Sequence, residues 1–369
     1  MTKQNMDSFI SDTAAKIKQH RASKKPLRIQ GGNTKAFYGA VVTVPEDALF
    51  TGSYNGIIDY EPKELVLTVR AGTPLADVEK ALADANQMLP FEPPHFGAGA
   101  TIGGIVATGF SGPRRAYAGA VRDFVLGTRI IDGKGDDLNF GGRVIKNVAG
   151  YDVSRLMTGA MGTLGIILDI SFKVLPRPQT ETTLCFEMNE ATAIMRLNEW
   201  AGKPLPISAS SYFEGVVMLR LSAAQAGVTA AVQKLGGEIV DAQAADAHWT
   251  GLREHQHSYF DNPKPLWRVS VPQTAAVLAF DQADIQAGPI EWGGGLRWLS
   301  AESDTDAAAR IRSRAAYLGG HATLFNGKGH ATVAAVFHPL DAGLAKIHRN
   351  LKQAFDPDNI LNRGRMDSF

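Results

Sequence analysis

Residues 64–70 (ELVLTVR) alternate apolar and polar side chains as a half-buried strand does, and Ala71-Gly72 ends the run. The spacing then becomes helical: Leu75, Val78 and Leu82 share one face, with Thr73 as the expected cap and Pro74 in the first turn. That helix is expected to pack on the strand before it. Runs at 124–131 and 136–140 flank Asp132-Gly133-Lys134-Gly135 and predict a β-hairpin. Residues 164–175 predict another strand, which Pro176-Arg177-Pro178 cuts off.

Past that point the pattern predicts strand 182–188, helix 190–200, strand 216–221, helix 223–235 and strand 238–240. A second set over 266–337 contains a helix at 304–317 and a strand at 321–325, so a loose duplication is expected. A last helix is predicted at 340–354, before Asp356-Pro357. The order implies an α+β protein, with helices on one face of an antiparallel sheet in its second half. The expected domains are 1–176, 177–340 and a C-terminal helix and tail, 341–369.

The chain has 369 residues, 44% apolar and 20% charged, long enough for two cores and ordinary in balance. Lys and Arg number 38 against 37 Asp and Glu, so no net field draws nucleic acid to it, and none is expected as a partner. The single cysteine, Cys185, excludes an intramolecular disulfide, an iron–sulfur cluster or a Cys-based zinc site from this chain alone. With a polar N-terminus and no run of about 18 apolar residues, a cytoplasmic protein is expected.

The glycines change the picture, because they are unevenly spread, with a dense set from Gly31 to Gly165 that includes three clusters. Arg28-Ile29-Gln30 leads into Gly31-Gly32-Asn33-Thr34-Lys35, where glycines let N–H groups converge on an anion and Asn and Thr add donors. A Gly-Gly-Asn turn alone is only a turn, and no P-loop is present. The second cluster runs from Gly97 through Thr101-Ile102-Gly103-Gly104 to Thr108-Gly109 and Gly112, followed by Arg114-Arg115, Gly119 and Arg122-Asp123. So many small residues cannot fill a core; they suit a wall for an extended ligand, with arginines to offset phosphate charge. The third, Gly159 to Ile167, includes Gly162-Thr163 and Gly165-Ile166-Ile167 and enters a strand.

With these three clusters in order over about the first 176 residues, the chain resembles the FAD-binding PCMH-type flavoproteins of the vanillyl-alcohol oxidase superfamily. Within it, the chain is similar to the FAD-binding subunits of bacterial glycolate oxidase, through Lys146 to Asp152, Trp267 to Pro272 and Phe355 to Asn362. The resemblance implies FAD held by two α+β subdomains in residues 1–176, an α+β cap domain with an antiparallel sheet over 177–340, and a tail that returns to the flavin domain. It places the pyrophosphate side of FAD at Gly31 to Lys35 and Thr101 to Gly104, and the flavin and adenine region along Gly162 to Ile167. No flavin-linking histidine stands in the first loop, so noncovalent FAD is expected.

The implied activity is oxidation of a small 2-hydroxy acid, glycolate to glyoxylate, alongside a second FAD-containing catalytic subunit and an iron–sulfur subunit. Through such partners the chain would sit peripherally on the inner membrane. Catalytic relatives carry a histidine-rich metal motif in the cap domain. Here the comparable stretch, His321 to His330, lacks its acidic residue and spacing, so no metal is expected. Met161 stands where many relatives have Glu, and Arg363 where many have Pro. Arg268, His321, Asn326 and His330 are the remaining catalytic candidates, for carboxylate binding or proton transfer. His255 and His257 are expected on a polar helix face, and Trp249, Trp292 and Trp298 in core packing. A free-standing dehydrogenase and a non-catalytic assembly subunit are the alternatives.

Overall fold

The computed structural model describes residues 3–40, 47–142, 151–280, 283–329 and 335–366. The backbone divides into two units: Met1–Phe110, Ala120–Pro176 and Pro339–Phe369 form one, Ser111–Gly119 and Arg177–His338 the other. The segment Ser111–Gly119 thus groups with the second unit, although the glycine-rich sequence around it belongs to the first.

In chain order the first half contains α1 (Lys3–Ser23), β1 (Arg28–Gln30), β2 (Ala48–Phe50), β3 (Ile57–Glu61), β4 (Val66–Arg70), α2 (Leu75–Asp84), β5 (Gln87–Met88) and α3 (Ile102–Thr108). Then follow α4 (Arg115–Ala118), α5 (Val121–Phe124), β6 (Val125–Ile131), β7 (Asp137–Gly141), α6 (Val153–Leu156), β8 (Ile166–Lys173) and β9 (Leu175–Pro176). An antiparallel sheet of order β3-β4-β8-β6-β7 forms the frame of the first unit, and β1 and β2 pair separately in parallel.

Leu67 and Val69 of β4, Leu75, Val78 and Leu82 of α2, and Ile102, Ile105 and Val106 of α3 lie in one buried cluster, so the predicted helix packs on its strand. Full burial of each such side chain stabilises by about 1.5–3 kcal/mol. Thr73 does not cap α2; Pro74 occupies that position. The Thr73 hydroxyl instead donates to the Arg70 carbonyl (2.7 Å) and accepts the Gly56 N–H (2.8 Å), fixing the corner between strand and helix. The predicted hairpin is β6–β7, with Oδ1 of buried Asp132 accepting the N–H groups of Lys134 and Asp136 at 2.9 and 3.0 Å.

The second half contains β10 (Thr180–Glu187), α7 (Glu190–Ala201), β11 (Ile207–Phe213), β12 (Val216–Ala223), α8 (Gln225–Leu235), β13 (Glu238–Ile239) and α9 (Ala242–Arg253). It continues with β14 (Leu266–Ser270), β15 (Gln286–Glu291), β16 (Leu296–Ser300), α10 (Thr305–Tyr317) and β17 (His321–Asn326); α11 (Ala342–Phe355) belongs to the first unit. The two expected halves join edge to edge through β11 and β15 into one eight-stranded antiparallel sheet, order β13-β10-β12-β11-β15-β16-β14-β17. β11 (ISASSYF) escapes sequence reading because its serines hide a strand buried on both faces.

Helices cover both faces of this sheet, not one. Leu184, Leu219 and Leu221 pack with α7 and α8, whereas Thr183 and Arg220, which point the other way, meet Trp249 of α9. The indole Nε1 donates to Thr183 Oγ1 at 2.9 Å. No helix among the described residues is long and apolar enough to cross a membrane.

Candidate cofactor site and cationic face

The first two glycine clusters meet backbone to backbone. A Cβ on Gly32 would lie 1.4 Å from the Gly99 carbonyl oxygen, and one on Gly31 would lie 2.6 Å from Thr101 Oγ1. Only glycine permits this approach. Where the loops touch, the N–H groups of Gly31, Gly32, Asn33 and Thr34, and of Gly97, Ala98 and Gly99, have no acceptor among the described residues. Backbone donors left open in a glycine-rich concavity are what an anion requires. A phosphate-bearing cofactor therefore fits this place.

The other expected donors are already engaged. Ile102 and Gly103 donate their N–H groups to the carbonyls of Thr73 (3.0 Å) and Ala71 (2.7 Å), and Gly104 donates to Thr101 Oγ1 (3.3 Å). The Lys35 ammonium donates to the His95 carbonyl (3.0 Å) and Thr34 Oγ1 (3.2 Å), and so holds loop against loop. Thr108 Oγ1 bonds back to the Gly104 carbonyl at 2.8 Å, and Gly109 ends α3 with φ 67°. Arg122 is exposed, and Asp123 accepts the Ala120 N–H at 2.8 Å.

The third cluster links the second to the C-terminal tail. Gly159 and Met161 donate to the carbonyls of Val106 and Ala107, at 2.9 and 2.8 Å. Gly162 has φ 71° and leaves room for Asn362, whose Nδ2 donates to the Met161 carbonyl (2.8 Å) while its Oδ1 accepts the Ile29 N–H (2.8 Å). Buried Lys352 donates to the carbonyls of Thr163 (2.7 Å) and Leu361 (3.2 Å) and to Asp356 Oδ2 (2.7 Å). Burial pushes the pKa of its ammonium down, with Asp356 opposing. Gly165 packs on β6, and Ile166 and Ile167 are buried in the ladder of β8 with β6.

Gly112, Arg114 and Arg115, expected on the glycine wall, lie in the second unit. Gly112 accepts the Trp292 indole N–H at 3.1 Å, buried Arg114 pairs with Glu181, and Arg115 sits 4.3 Å from the centre of the Trp292 ring. Arg114 is committed to a carboxylate because a buried guanidinium needs one, and half-buried Arg115 lies against an aromatic face.

Of the catalytic candidates, Arg268 and His321 come together and Asn326 does not. Arg268 stands on β14 between Trp298 of β16 and Thr323 of β17, with its guanidinium 5.7 Å from the centre of the Phe325 ring. His321 opens β17 opposite Ser270, its ring 6.3 Å from that of His338. Partial burial, then the charges of Arg268, His338 and Arg115, hold the His321 pKa below its ordinary value, so the imidazole is neutral at pH 7. Asn326 lies at the far end of the strand, where Oδ1 accepts the Lys328 N–H (2.9 Å) as a turn residue. His330 and residues 146–150 lie outside the described residues. Among the described residues no cluster of three or more His, Cys, Asp or Glu side chains is set to hold a metal.

His255 and His257 are not on a helix face: α9 ends at Arg253. His255 stacks on Phe260, with centroids 4.1 Å apart, beside Trp298 and Phe325, and burial pushes its pKa down to about 3. His257 starts the next turn, accepting the Tyr259 N–H. Asn362, Lys352 and the tail contacts had no signal in the sequence beyond the resemblance of that tail.

Residues 10–141 match the family described as FAD binding domain. The chain is 47% identical over 351 residues to glycolate oxidase subunit GlcE of Escherichia coli K12, covering 95% of both. It is 32% identical over 166 residues to glycolate oxidase subunit GlcD of Bacillus subtilis, covering 45% of this chain and 34% of that one. Similarity to a D-lactate dehydrogenase of Anaerostipes hadrus is 32% over 174 residues, covering 47% and 36%. Among solved structures, alkyldihydroxyacetonephosphate synthase superposes with a TM-score of 0.66 at 16% identity, covering 95% of this chain and 74% of that one, which shows the fold. The resemblance read from the glycine clusters is borne out, and the chain belongs to the family of glycolate oxidase subunit GlcE, with an FAD-binding domain in its N-terminal part.

Proposed function

We propose that this chain is the GlcE-type, FAD-carrying subunit of a glycolate oxidase, acting in the oxidation of glycolate to glyoxylate within an assembly. The observation that carries the reading is the set of open N–H donors at Gly31–Thr34 and Gly97–Gly99, beside glycines that no other residue can replace. In this reading the first unit holds noncovalent FAD, with Gly31 to Lys35, Gly97, Thr101 to Gly104, Thr108, Gly109 and Gly162 to Ile167 forming its walls. Arg122 and Asp123 lie at the margin, and Gly112 belongs with the second unit.

When bound, the flavin supplies a two-electron acceptor for the hydride from the substrate Cα. The residues of this chain do the remaining work: donors at the two loops neutralise phosphate, and Asn362 and Lys352 hold the third cluster in register. In the second unit Arg268 offers a guanidinium for a carboxylate and neutral His321 a nitrogen that accepts a proton. The stretch His321 to His330 lacks the acidic residue and the spacing of the metal motif in the catalytic relatives. Lost positioning and electrostatic help of that kind costs several kcal/mol of barrier, so a GlcD-type second flavoprotein subunit and an iron–sulfur subunit are the partners proposed to complete the activity. Attachment to the inner membrane would come through them.

The test is purification with and without co-expressed partners, followed by acid precipitation and anaerobic reduction by glycolate and D-lactate. The holoprotein is expected to release free FAD on precipitation, to bleach slowly alone and to bleach rapidly in the assembly. Bleaching of the isolated chain at the rate of the assembly would instead establish the free-standing dehydrogenase. Bound FAD that no hydroxy acid reduces, even in the assembly, would leave the non-catalytic subunit.

A further inference from the structure

Two arginines far apart in sequence hold the same loop. Arg28, on β1, donates through Nη2 to Gln30 Oε1 and to Asn33 Oδ1 (3.4 Å). Arg365, in the tail, donates through Nη2 to the carbonyls of Ala36 (2.7 Å) and Lys35 (3.4 Å), and its own carbonyl accepts the Ala40 N–H (3.0 Å). Each guanidinium thus uses one terminal nitrogen on the loop and keeps its Nε and Nη1 donors without an acceptor among the described residues. No carboxylate there pairs with either. Burial, then the neighbouring charge of Arg28, holds the Arg365 pKa below its ordinary value.

Two like charges brought onto one loop repel, and nothing among the described residues offsets them. The loop they share also presents the open N–H groups of Gly31 to Thr34. One loop thus carries two cations and a run of open amides, a donor set that matches a doubly charged diphosphate better than a single carboxylate. We infer that Arg28 and Arg365 form a diphosphate-binding pair on the first glycine loop, so that the C-terminal tail contributes a side chain to the dinucleotide site. The inference rests on the flavin reading above and names which part of the ligand the tail recognises.

Apo protein titrated with FAD, with riboflavin, and with ADP as competitor tests it, in wild type and in R28M, R365M, R365K and the surface control R196M. A charge-assisted hydrogen bond lost on each arginine raises the Kd for FAD by about 10-fold or more. Riboflavin, which has no phosphate, should bind as before, ADP should compete less well, and R365K should recover part of the loss because it restores the charge without the fork. High salt should weaken FAD binding to wild type more than to the double variant R28M/R365M. Unchanged FAD affinity in R28M and R365M would overturn the pair. So would equal losses for FAD and riboflavin together with a lower melting temperature of the apo protein, the mark of residues that only hold the loop. Folded wild type that binds no FAD would remove the flavin reading itself, and the pair with it.

Discussion

The two units use polar chemistry in opposite ways. In the first, donors are backbone N–H groups on glycine loops, and they are left open. In the second, polar side chains are closed on one another: Arg114 with Glu181, Ser211 with His248 at 2.8 Å, and Trp298 Nε1 with Glu291 at 2.8 Å. An open set of backbone donors costs stability until a ligand arrives, whereas a closed set of side chains fixes one sheet at no such cost. The first unit is therefore where an anion is needed, whereas these side chains of the second already satisfy one another.

The largest break in this comparison should come from Gly32→Val. With a Cβ 1.4 Å from the Gly99 carbonyl, the loops cannot close, and the purified variant should be colourless and unfolded in its first unit by circular dichroism. Gly103→Val belongs beside it, because a Cβ there meets the Cβ of Ala71 at 2.8 Å and its carbonyl oxygen at 3.0 Å. Gly103 serves the packing of α3 on the end of β4, and its loss should appear in the melting temperature of the apo protein as well as in flavin content.

Next in size is Lys352→Met, which leaves Asp356 buried without its cation and frees the carbonyls of Thr163 and Leu361. Such a loss destabilises by about 3–5 kcal/mol, read from denaturant midpoints. The second unit has its own weak point, which is acid. Burial pushes His248 from 6.5 to about 4 and His255 to about 3, so both are neutral in the fold. As pH falls below 6.5 the unfolded chain takes up their protons first, and stability is lost until about pH 4 for His248 and about pH 3 for His255. His248→Gln should flatten the first part of that loss, followed through the near-UV signal of Trp249 and Trp298.

Asn362→Ala should cost about 1–3 kcal/mol, because the Ile29 N–H and the Met161 carbonyl both lose their partner. FAD affinity should fall with it, since the first and third clusters lose their bridge. The smallest effect is expected for Gly104→Ala, whose Cβ meets only Thr101 Oγ1 among the described residues, at 3.3 Å. The gain in helix propensity there offsets the close contact to within about 1 kcal/mol. A large loss of flavin in that variant would mean that the cofactor approaches α3 more closely than the loops imply.

Local pattern and composition determined a good deal by themselves. The alternation at β4, the helical spacing of α2 and the Asp132 turn are set by contacts a few residues apart, and each element formed as its side chains dictate. The glycine clusters were legible for the same reason, since a stretch without side chains cannot be a core. Tertiary structure alone decided which donors stay open: Gly103 and Gly104 spend their N–H groups on Ala71 and Thr101, while Gly31 and Gly32 keep theirs. It also moved Arg114 and Arg115 to the second unit, hid β11 between helical layers, and brought Arg365 onto a loop more than three hundred residues away. The physical reason is that hydrogen-bond satisfaction depends on what the fold places within about 3 Å, and no spacing along the chain encodes it.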